Sequence, residues 1–514
     1  MSYLPFILIS TFIMSIIFSL LSFNLNRPAM DIVNDMGLGW NLGNTFDCYD
    51  NDKEINNPED QITLCGNIEP KRELFTKIKK YGFKSIRFPI TWFHFMDNSG
   101  KVDSRWMKKV KEVVDWIIEA NMYCIINIQN DSEGGNWLSK GIKAKEKFSF
   151  LWKQIAEEFI IYDDYLIFES MNDPSFLIDY NYDYKTLNTL NQAFVDAVRS
   201  IGGNNANRLL LISGAMGELE KTTSEYFKLP TDPSNKLAIS FHFTSPEQFT
   251  VETEGDPYFW VGDNGEINII PPLTQWGSAS QYKDLITQFE TMKKTFIEKE
   301  VPIIINKVYV NTEENKEIES IREYLYIVFC ISSSYNGIMP CLWDTSNNGI
   351  SNYYNRVNDK WIDEEIKNNF KKISKKKFVD PFKFIYYSNI DTEQSSSPKG
   401  PIKIQFGSKK VMKVIFNAYI KVTPLYDAGF GVASHDKGGG WVGEGVSGGS
   451  GKKQYDGSLT FTLDVSEKDY NEYIQVEIWW GHDFIFLNYL SLEFEKSYPI
   501  FDYKGYKENL LDNA

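Results

Sequence analysis

Between residues 36 and 374 the chain alternates short apolar runs with longer amphipathic segments, and it does so eight times. The apolar runs are Met36–Leu42, Phe83–Pro89, Met122–Ile128, Tyr165–Met171, Arg208–Ser213, Leu237–Phe243, Val301–Asn306 and Ile338–Trp343. Each is six or seven residues long and largely hydrophobic, which suits strands buried on both faces. Between them lie helix-like segments such as Lys71–Tyr81, Ser104–Ala120, Lys145–Phe159, Lys185–Ile201, Ala279–Lys299 and Lys316–Ser334. In Ser104–Ala120, residues Val110, Val113, Val114, Ile117 and Ile118 recur at three- and four-residue steps and so share one helical face. Strand then helix, eight times over, predicts an α/β fold: a closed parallel (β/α)8 TIM barrel spanning residues 31–375.

The 514 residues exceed what one ordinary core holds, so a second domain is expected. Residues 376–401 read as a linker, with Ser395-Ser396-Ser397-Pro398-Lys399-Gly400-Pro401 as its least structured part. From 402 to 496 the segments KVIFNAYIKV, SLTFTLDV, YIQVEIWW and FIFLNYLSLEF alternate with the period of strands, which predicts a smaller all-β sandwich. Residues 497–514 form a polar tail. At the other end, Leu4–Phe23 is almost wholly apolar and uncharged. Residues 1–26 are expected to be a secretory signal peptide, with a membrane anchor as the alternative, since about 20 apolar residues span a bilayer. Either route makes the protein secreted or cell-surface anchored. Cys48 and Cys65 bracket one polar loop and could pair there, whereas Cys124, Cys330 and Cys341 sit in apolar runs as core thiols. A net charge of −15 argues against nucleic acid or an anionic membrane as partner.

In a parallel barrel the ligand site lies at the carboxyl ends of the strands. There the sequence places Trp40, Asn41, Arg87, Gln129, Asn130, Asn172, Asp173, His242, Lys307 and Trp343. Any one of them has a bland reading: Arg87 could pair with a strand-end carboxylate, and Trp343 could be core. As a set they converge on one face. The stretch YLIFESMNDP is the clearest case, because Pro174 stops the strand just after an amide and a carboxylate. His94, His435 and His482 are scattered, and Asp47, Asp50, Asp52 and Glu54 lack the glycine and terminal glutamate of a calcium loop. The acidic group is expected to be a solvated loop, and no metal or cofactor is expected. Asn130-Asp131-Ser132 is a glycosylation sequon at the cleft edge, expected to be unused.

The stretches GLGWNLGNTFD (37–47), YGFKSIRFPITW (81–92), ANMYCIINI (120–128), YDDYLIFESMNDP (162–174), FVDAVRSIGGNNANRLLLISG (194–214), FHFTSP (241–246), VPIII (301–305) and MPCLWD (339–344) together resemble glycoside hydrolase family 5 cellulases, endo-β-glucanases of the retaining kind. The resemblance implies a β-glucan or related plant cell-wall polysaccharide as partner, and a monomer. It implies substrate contacts from Trp40, Asn41, Asn44, Arg87, Asn172, His242 and Trp343, which match the family pattern, and Trp276 is a further candidate ring. It also implies that the β-sandwich is a carbohydrate-binding module, with Trp441, Trp479, Trp480 and Phe484 as ring candidates; adjacent tryptophans on a strand face opposite ways, so half of the set would fill the core.

The departures fall on the reactive positions. Asp173 and Lys307 stand where the resemblance implies the acid/base and nucleophile glutamates. Gln129 and Asn130 stand where it implies two histidines, and Thr244 where it implies a tyrosine. A retaining glycosidase needs two carboxyl groups about 5–5.5 Å apart, one attacking the anomeric carbon. An ammonium does not attack, and an aspartate falls one methylene short. The expected arrangement is an Asp173–Lys307 ion pair that keeps the carboxylate ionised, in a catalytically silent protein that still binds glucan. Two alternatives remain open: an active hydrolase that has recruited Asp131, Glu169 or Asp344, and an interaction protein with a vestigial cleft.

Overall fold

The computed structural model describes residues 27–375 apart from 179–180, 253–257, 262–266, 271–272, 277–278, 313–315 and 347–348, and beyond 375 it describes strands only. The chain divides into two compact units, 1–275 with 288–378 and 276–287 with 379–514. In the first unit, β1 (Leu38–Asn41), β2 (Phe83–Phe88), β3 (Tyr123–Asn127), β4 (Leu166–Glu169), β5 (Leu210–Ser213), β6 (Leu237–Phe243), β7 (Ile303–Val308) and β8 (Ile338–Leu342) pair in chain order into a closed barrel. Every pairing is parallel, and β8 returns to β1 through Gly39 opposite Cys341 and Trp40 opposite Leu342. The closed parallel barrel expected from the alternation is therefore the fold.

Helices cover the outside: α2 (Arg72–Lys80), α3 (Ser104–Glu119), α4 (Lys145–Glu158), α5 (Tyr184–Ile201), α6 (Ala279–Thr295), α7 (Ile318–Ser334) and α8 (Glu364–Ser374). The stripe in α3 behaves as its spacing predicts: Val110, Val113, Val114 and Ile117 are buried, and Asp103 caps the helix by accepting from the Arg105 N–H. Two helices were not expected from the sequence. The first, α1 (Ala29–Met36), lies ahead of the barrel and buries Ala29, Ile32, Val33 and Met36. These join Ile125, Ile167, Leu211, Ile304 and Met339 in one core cluster, so α1 plugs the end of the barrel where the strands begin. The second, α8, packs Phe370 against Phe329 of α7 and Phe83 of β2.

Two features set up the other end. Strand β7 runs to Val308, two residues past its expected end, so Lys307 sits within the strand and opposite His242 of β6. Its register with β6 slips between Ile305 and Lys307. Such a bulge bends the strand and re-aims side chains, and here consecutive residues Asn306 and Lys307 both find partners at the barrel mouth. Cys48 and Cys65 form a disulfide that closes the long loop after β1. Cys124, Cys330 and Cys341 are buried and free, as core thiols. Within that loop Asp47 is not solvated: it is buried and accepts from the Thr45 and Asn44 backbone N–H groups at 2.7 and 3.1 Å.

In the second unit the strands form two four-stranded antiparallel sheets. One joins Phe384–Ser388, Ile485–Phe494, Val411–Val422 and Tyr455–Asp464; the other joins Ile402–Gln405, Tyr473–Trp480, Ala428–His435 and Trp441–Gly448. Phe384–Ser388, inside the stretch read as linker, is thus a paired strand. The side chains of Trp441, Trp479, Trp480 and Phe484, the signal or anchor at 1–26 and the tail at 497–514 lie outside the described residues. Among the described residues no helix is long and apolar enough to cross a membrane.

Candidate active site

Arg87, at the end of β2, is the hub of the barrel mouth. It is fully buried, and a buried guanidinium must have its donors satisfied. Its Nε donates to Glu169 Oε2 at 2.7 Å, Nη1 to Asn41 Oδ1 at 3.1 Å, and Nη2 to Asn172 Oδ1 at 3.1 Å and Gln129 Oε1 at 3.3 Å. The remaining Glu169 oxygen accepts from Asn306 Nδ2 at 2.7 Å. Asn41 in turn donates to the carbonyls of Asn306 and Leu342, tying β1 to β7 and β8. One buried ion pair with its amides therefore fixes the ends of five strands. The carboxylate partner that the sequence left unnamed for Arg87 is Glu169.

The next layer faces the opening. Asn172 Oδ1 lies 3.4 Å from His242 Nε2. Burial, with Lys307 and Arg87 nearby, holds His242 well below its usual pKa, so the imidazole is neutral. Asp173 has φ of +45°, in the left-handed region, and its side chain is open to the cleft. Gly217 explains where that carboxyl goes. A Cβ there would lie 3.0 Å from Asp173 Oδ1 and 3.1 Å from His242 Nδ1, on a backbone whose φ is +64°. Asp173 and His242 thus flank one point on the wall, and only glycine leaves room between them.

Lys307 does not make the expected ion pair. Among the described residues no carboxylate oxygen lies within 4.0 Å of its ammonium, which instead stands 4.5 Å over the Trp343 ring. The short Asp173 side chain, turned towards Gly217 by its left-handed backbone, accounts for the gap. The electrostatics change accordingly. Loss of water pushes Lys307 down to about 8, helped by Arg87 and opposed by Asp173, Asp47 and Glu169. Loss of water pushes the Asp173 carboxyl up; the charge of Lys307 pulls it down, and Glu133 and Glu218 push it further up. The net direction is upward, with the pull of Lys307 outweighed by the loss of water.

The aromatic expectations divide. Trp40 is fully buried, its indole N–H donating to Asp344 Oδ2 at 2.8 Å, and Trp276 is 5% exposed. Neither presents an open face to a sugar. Trp343 keeps 8% exposure, with Lys307 on its ring and Gly43 beside it. Asn44 is half-buried in the turn held by Asp47. Asn130 donates its amide nitrogen to the Asp47 carbonyl at 2.8 Å, so the sequon nitrogen is engaged.

The three acids considered as recruits are fully buried and occupied. Asp131 accepts from the Trp92 N–H and the Trp137 indole, Glu169 from Arg87 and Asn306, and Asp344 from Trp40 and the Ser346 N–H. Each is thus committed to hydrogen bonds inside the protein in this structure.

The cleft itself encloses about 930 Å³ and is walled by Asp173, His242, Thr244, Glu133, Glu218, Glu247 and Tyr309, among others. Thr244 Oγ1 makes a long 3.5 Å contact with Glu247 Oε1. Tyr309 is a wall residue the sequence reading missed, though strand alternation puts it on the same side as Lys307. Burial, with Glu247 and Asp173 close by, pushes its phenol up to about 12.

A (β/α)8 barrel whose strand ends gather a carboxyl group, a neutral imidazole, amides and an indole around an open cleft has the architecture of a barrel glycoside hydrolase. The family described as Cellulase (glycosyl hydrolase family 5) matches residues 48–349, and the chain belongs to that family. It is 32% identical over 381 residues to endoglucanase A of Clostridium longisporum, covering 69% of each chain. Among solved structures it resembles a GH5-4 broad specificity endoglucanase from an uncultured bovine rumen ciliate, with 53% identity and a TM-score of 0.66 over 68% of this chain and 99% of that one. It also resembles a mutant family 5 lichenase from Caldicellulosiruptor sp. F32 in complex with cellotetraose, with 28% identity and a TM-score of 0.59 over 68% of this chain and 96% of that one.

Proposed function

We propose that this chain is a secreted family 5 protein that binds β-glucan-type polysaccharide in its barrel cleft and no longer hydrolyses it through a covalent intermediate. The observation that carries this reading is Lys307, whose amine stands over Trp343 where the family pattern has the attacking carboxylate. At neutral pH Lys307 is mainly the ammonium, which has no lone pair with which to attack, and no second carboxyl faces Asp173 from that strand. The retained frame supports binding, because Arg87 holds Asn172 in a fixed orientation beside His242 of the cleft wall. The apolar N-terminal segment and the Cys48–Cys65 bond support secretion. The two C-terminal sheets support a β-sandwich module that would add polysaccharide binding of its own.

The test is calorimetry of the pure protein with cello-oligosaccharides and mixed-linkage glucan, run beside a reducing-sugar assay. Binding without product is expected. Product formation that disappears in Asp173→Ala would overturn the reading. A second reading, an inverting hydrolase, is supported by the raised pKa of Asp173 and by Glu133, Glu218 and Glu247 along the same cleft. Inverting chemistry needs carboxyl groups roughly 6.5–9.5 Å apart, with water between them and the sugar. An inverted anomer as first product would establish it.

A further inference from the structure

Helix α5 and the loop 226–231 enclose a hollow of about 600 Å³ that lies wholly within α4, α5 and that loop and shares no lining residue with the cleft. Two amide side chains build it. Asn188 donates to the Tyr226 carbonyl at 2.9 Å and accepts from the Lys228 N–H at 3.0 Å. Gln192 does the same for Thr231, donating to its carbonyl at 3.1 Å and accepting from its N–H at 2.8 Å. Acting as two rungs of a ladder, they fix the loop against the helix, so the hollow is preformed. Inside it the rings of Tyr184 and Tyr226 lie 5.9 Å apart at 41°, and Tyr226 is 64% exposed.

The charge of this hollow runs against that of the chain. Lys145, Lys185 and Lys228 stand on its rim and are exposed, and among the described residues none has an ion-pair partner. The acid on the lining, Asp196, accepts from the neutral Gln192 amide at 2.9 Å and offsets one of the three charges. A protein of net charge −15 thus sets three ammonium groups against one carboxylate around two tyrosine rings. The barrel cleft has the reverse character, with Glu133, Glu218 and Glu247 on its walls.

We propose that this hollow is a second carbohydrate site, specific for uronate-bearing polysaccharide. A uronic acid pairs an apolar pyranose face, which packs on a tyrosine ring, with a carboxylate for the lysines. A neutral glucan uses the rings and leaves the cations idle; an acidic peptide uses the cations and leaves the rings idle. The site would tether the protein to acidic wall polymers independently of what its cleft holds.

Affinity electrophoresis of the full-length protein through gels containing polygalacturonate, cellulose derivatives of no charge, or poly-glutamate tests this. Retardation by polygalacturonate and none by poly-glutamate are expected, the former at least tenfold weaker in Tyr226→Ala and in Lys145→Ser/Lys185→Ser/Lys228→Ser, whereas any retardation by the uncharged cellulose derivatives, which reports the barrel cleft, should be the same in both variants. Raising the salt from about 50 to about 500 mM should also weaken it as the charges are screened. All four substituted side chains are at the surface, and circular dichroism checks that the variants fold. Equal retardation by poly-glutamate would overturn the proposal in favour of simple charge attraction, and unchanged retardation in both variants would place the site elsewhere. Asp173→Asn, which alters only the cleft, should leave the retardation as it is.

Discussion

The proposed reading of the cleft turns on a single strand position. The Lys307 ammonium makes no hydrogen bond to the described residues and is driven down to about 8 from 10.5 by loss of water and by Arg87. Its folded pKa therefore lies below its unfolded value, so the unfolded chain holds the extra proton between about pH 8 and 10.5. Stability owed to this group is reduced below pH 8 and recovers as pH rises through that window. Lys307→Met is expected to raise stability at pH 7 by about 1–3 kcal/mol and to flatten that recovery, read as the difference between the two urea-denaturation curves from pH 7 to 10. Gly217 is the second decisive position. Gly217→Ala puts a methyl group 3.0 Å from Asp173 Oδ1 on a left-handed backbone, which should cost about 1–3 kcal/mol and at least tenfold in glucan affinity by calorimetry. The sequence placed Arg87, Asn172, Asp173 and His242 at or just past strand ends, because strand ends follow from local patterning. It did not show that Arg87 would choose Glu169, or that Lys307 would choose Trp343 over Asp173. Those choices depend on ring closure and on one backbone dihedral angle.

Elements were legible in proportion to their length. The strands and the long helices declared themselves, since six or more patterned residues leave few alternatives. Helix α1 was missed even though Ala29, Ile32, Val33 and Met36 follow helical spacing, because eight residues directly behind an apolar leader carry too little pattern to separate. The bulge in β7 was invisible for a different reason: register is a relation between strands, and Asn306 and Lys307 reveal nothing of it on their own. The loop after β1 lies between these cases. Its two cysteines could be seen as a possible pair, and the bond closes a loop of 17 residues. In the chain-entropy account a loop of that size is worth about 3 kcal/mol. Cys48→Ser/Cys65→Ser is therefore expected to lower the calorimetric Tm by several degrees and to weaken glucan binding, since Asn44 and Asp47 hang on that loop. A variant that kept its Tm would mean that Asp47 and its backbone bonds hold the loop unaided.

Across the whole molecule, the fold and the chemistry are encoded at different densities. Hundreds of residues vote for the barrel, so two substitutions do not disturb it, whereas retaining hydrolysis rests on two carboxyl groups. If the cleft is silent as proposed, this asymmetry makes the loss of chemistry reversible in principle. Asp173→Glu with Lys307→Glu restores both carboxyl groups to a frame in which Arg87, Asn172 and His242 are already fixed. Removing the lysine also removes the cation that pulls the acid's pKa down, while loss of water within the cleft and Glu133 continue to raise it, as a general acid needs. The double variant should therefore cleave soluble β-glucan with retention of anomeric configuration, followed by NMR of the first product, at roughly 10²–10⁴ times the rate of the parent protein. Each single variant should stay near the parent rate, because either carboxyl group alone leaves one half of the reaction without a partner. A silent double variant that still binds glucan would move the defect to Gln129, Asn130 and Thr244, the other positions where the wall departs from the family pattern. A double variant that yields the inverted anomer would instead place the attacking water beside Glu133, Glu218 or Glu247.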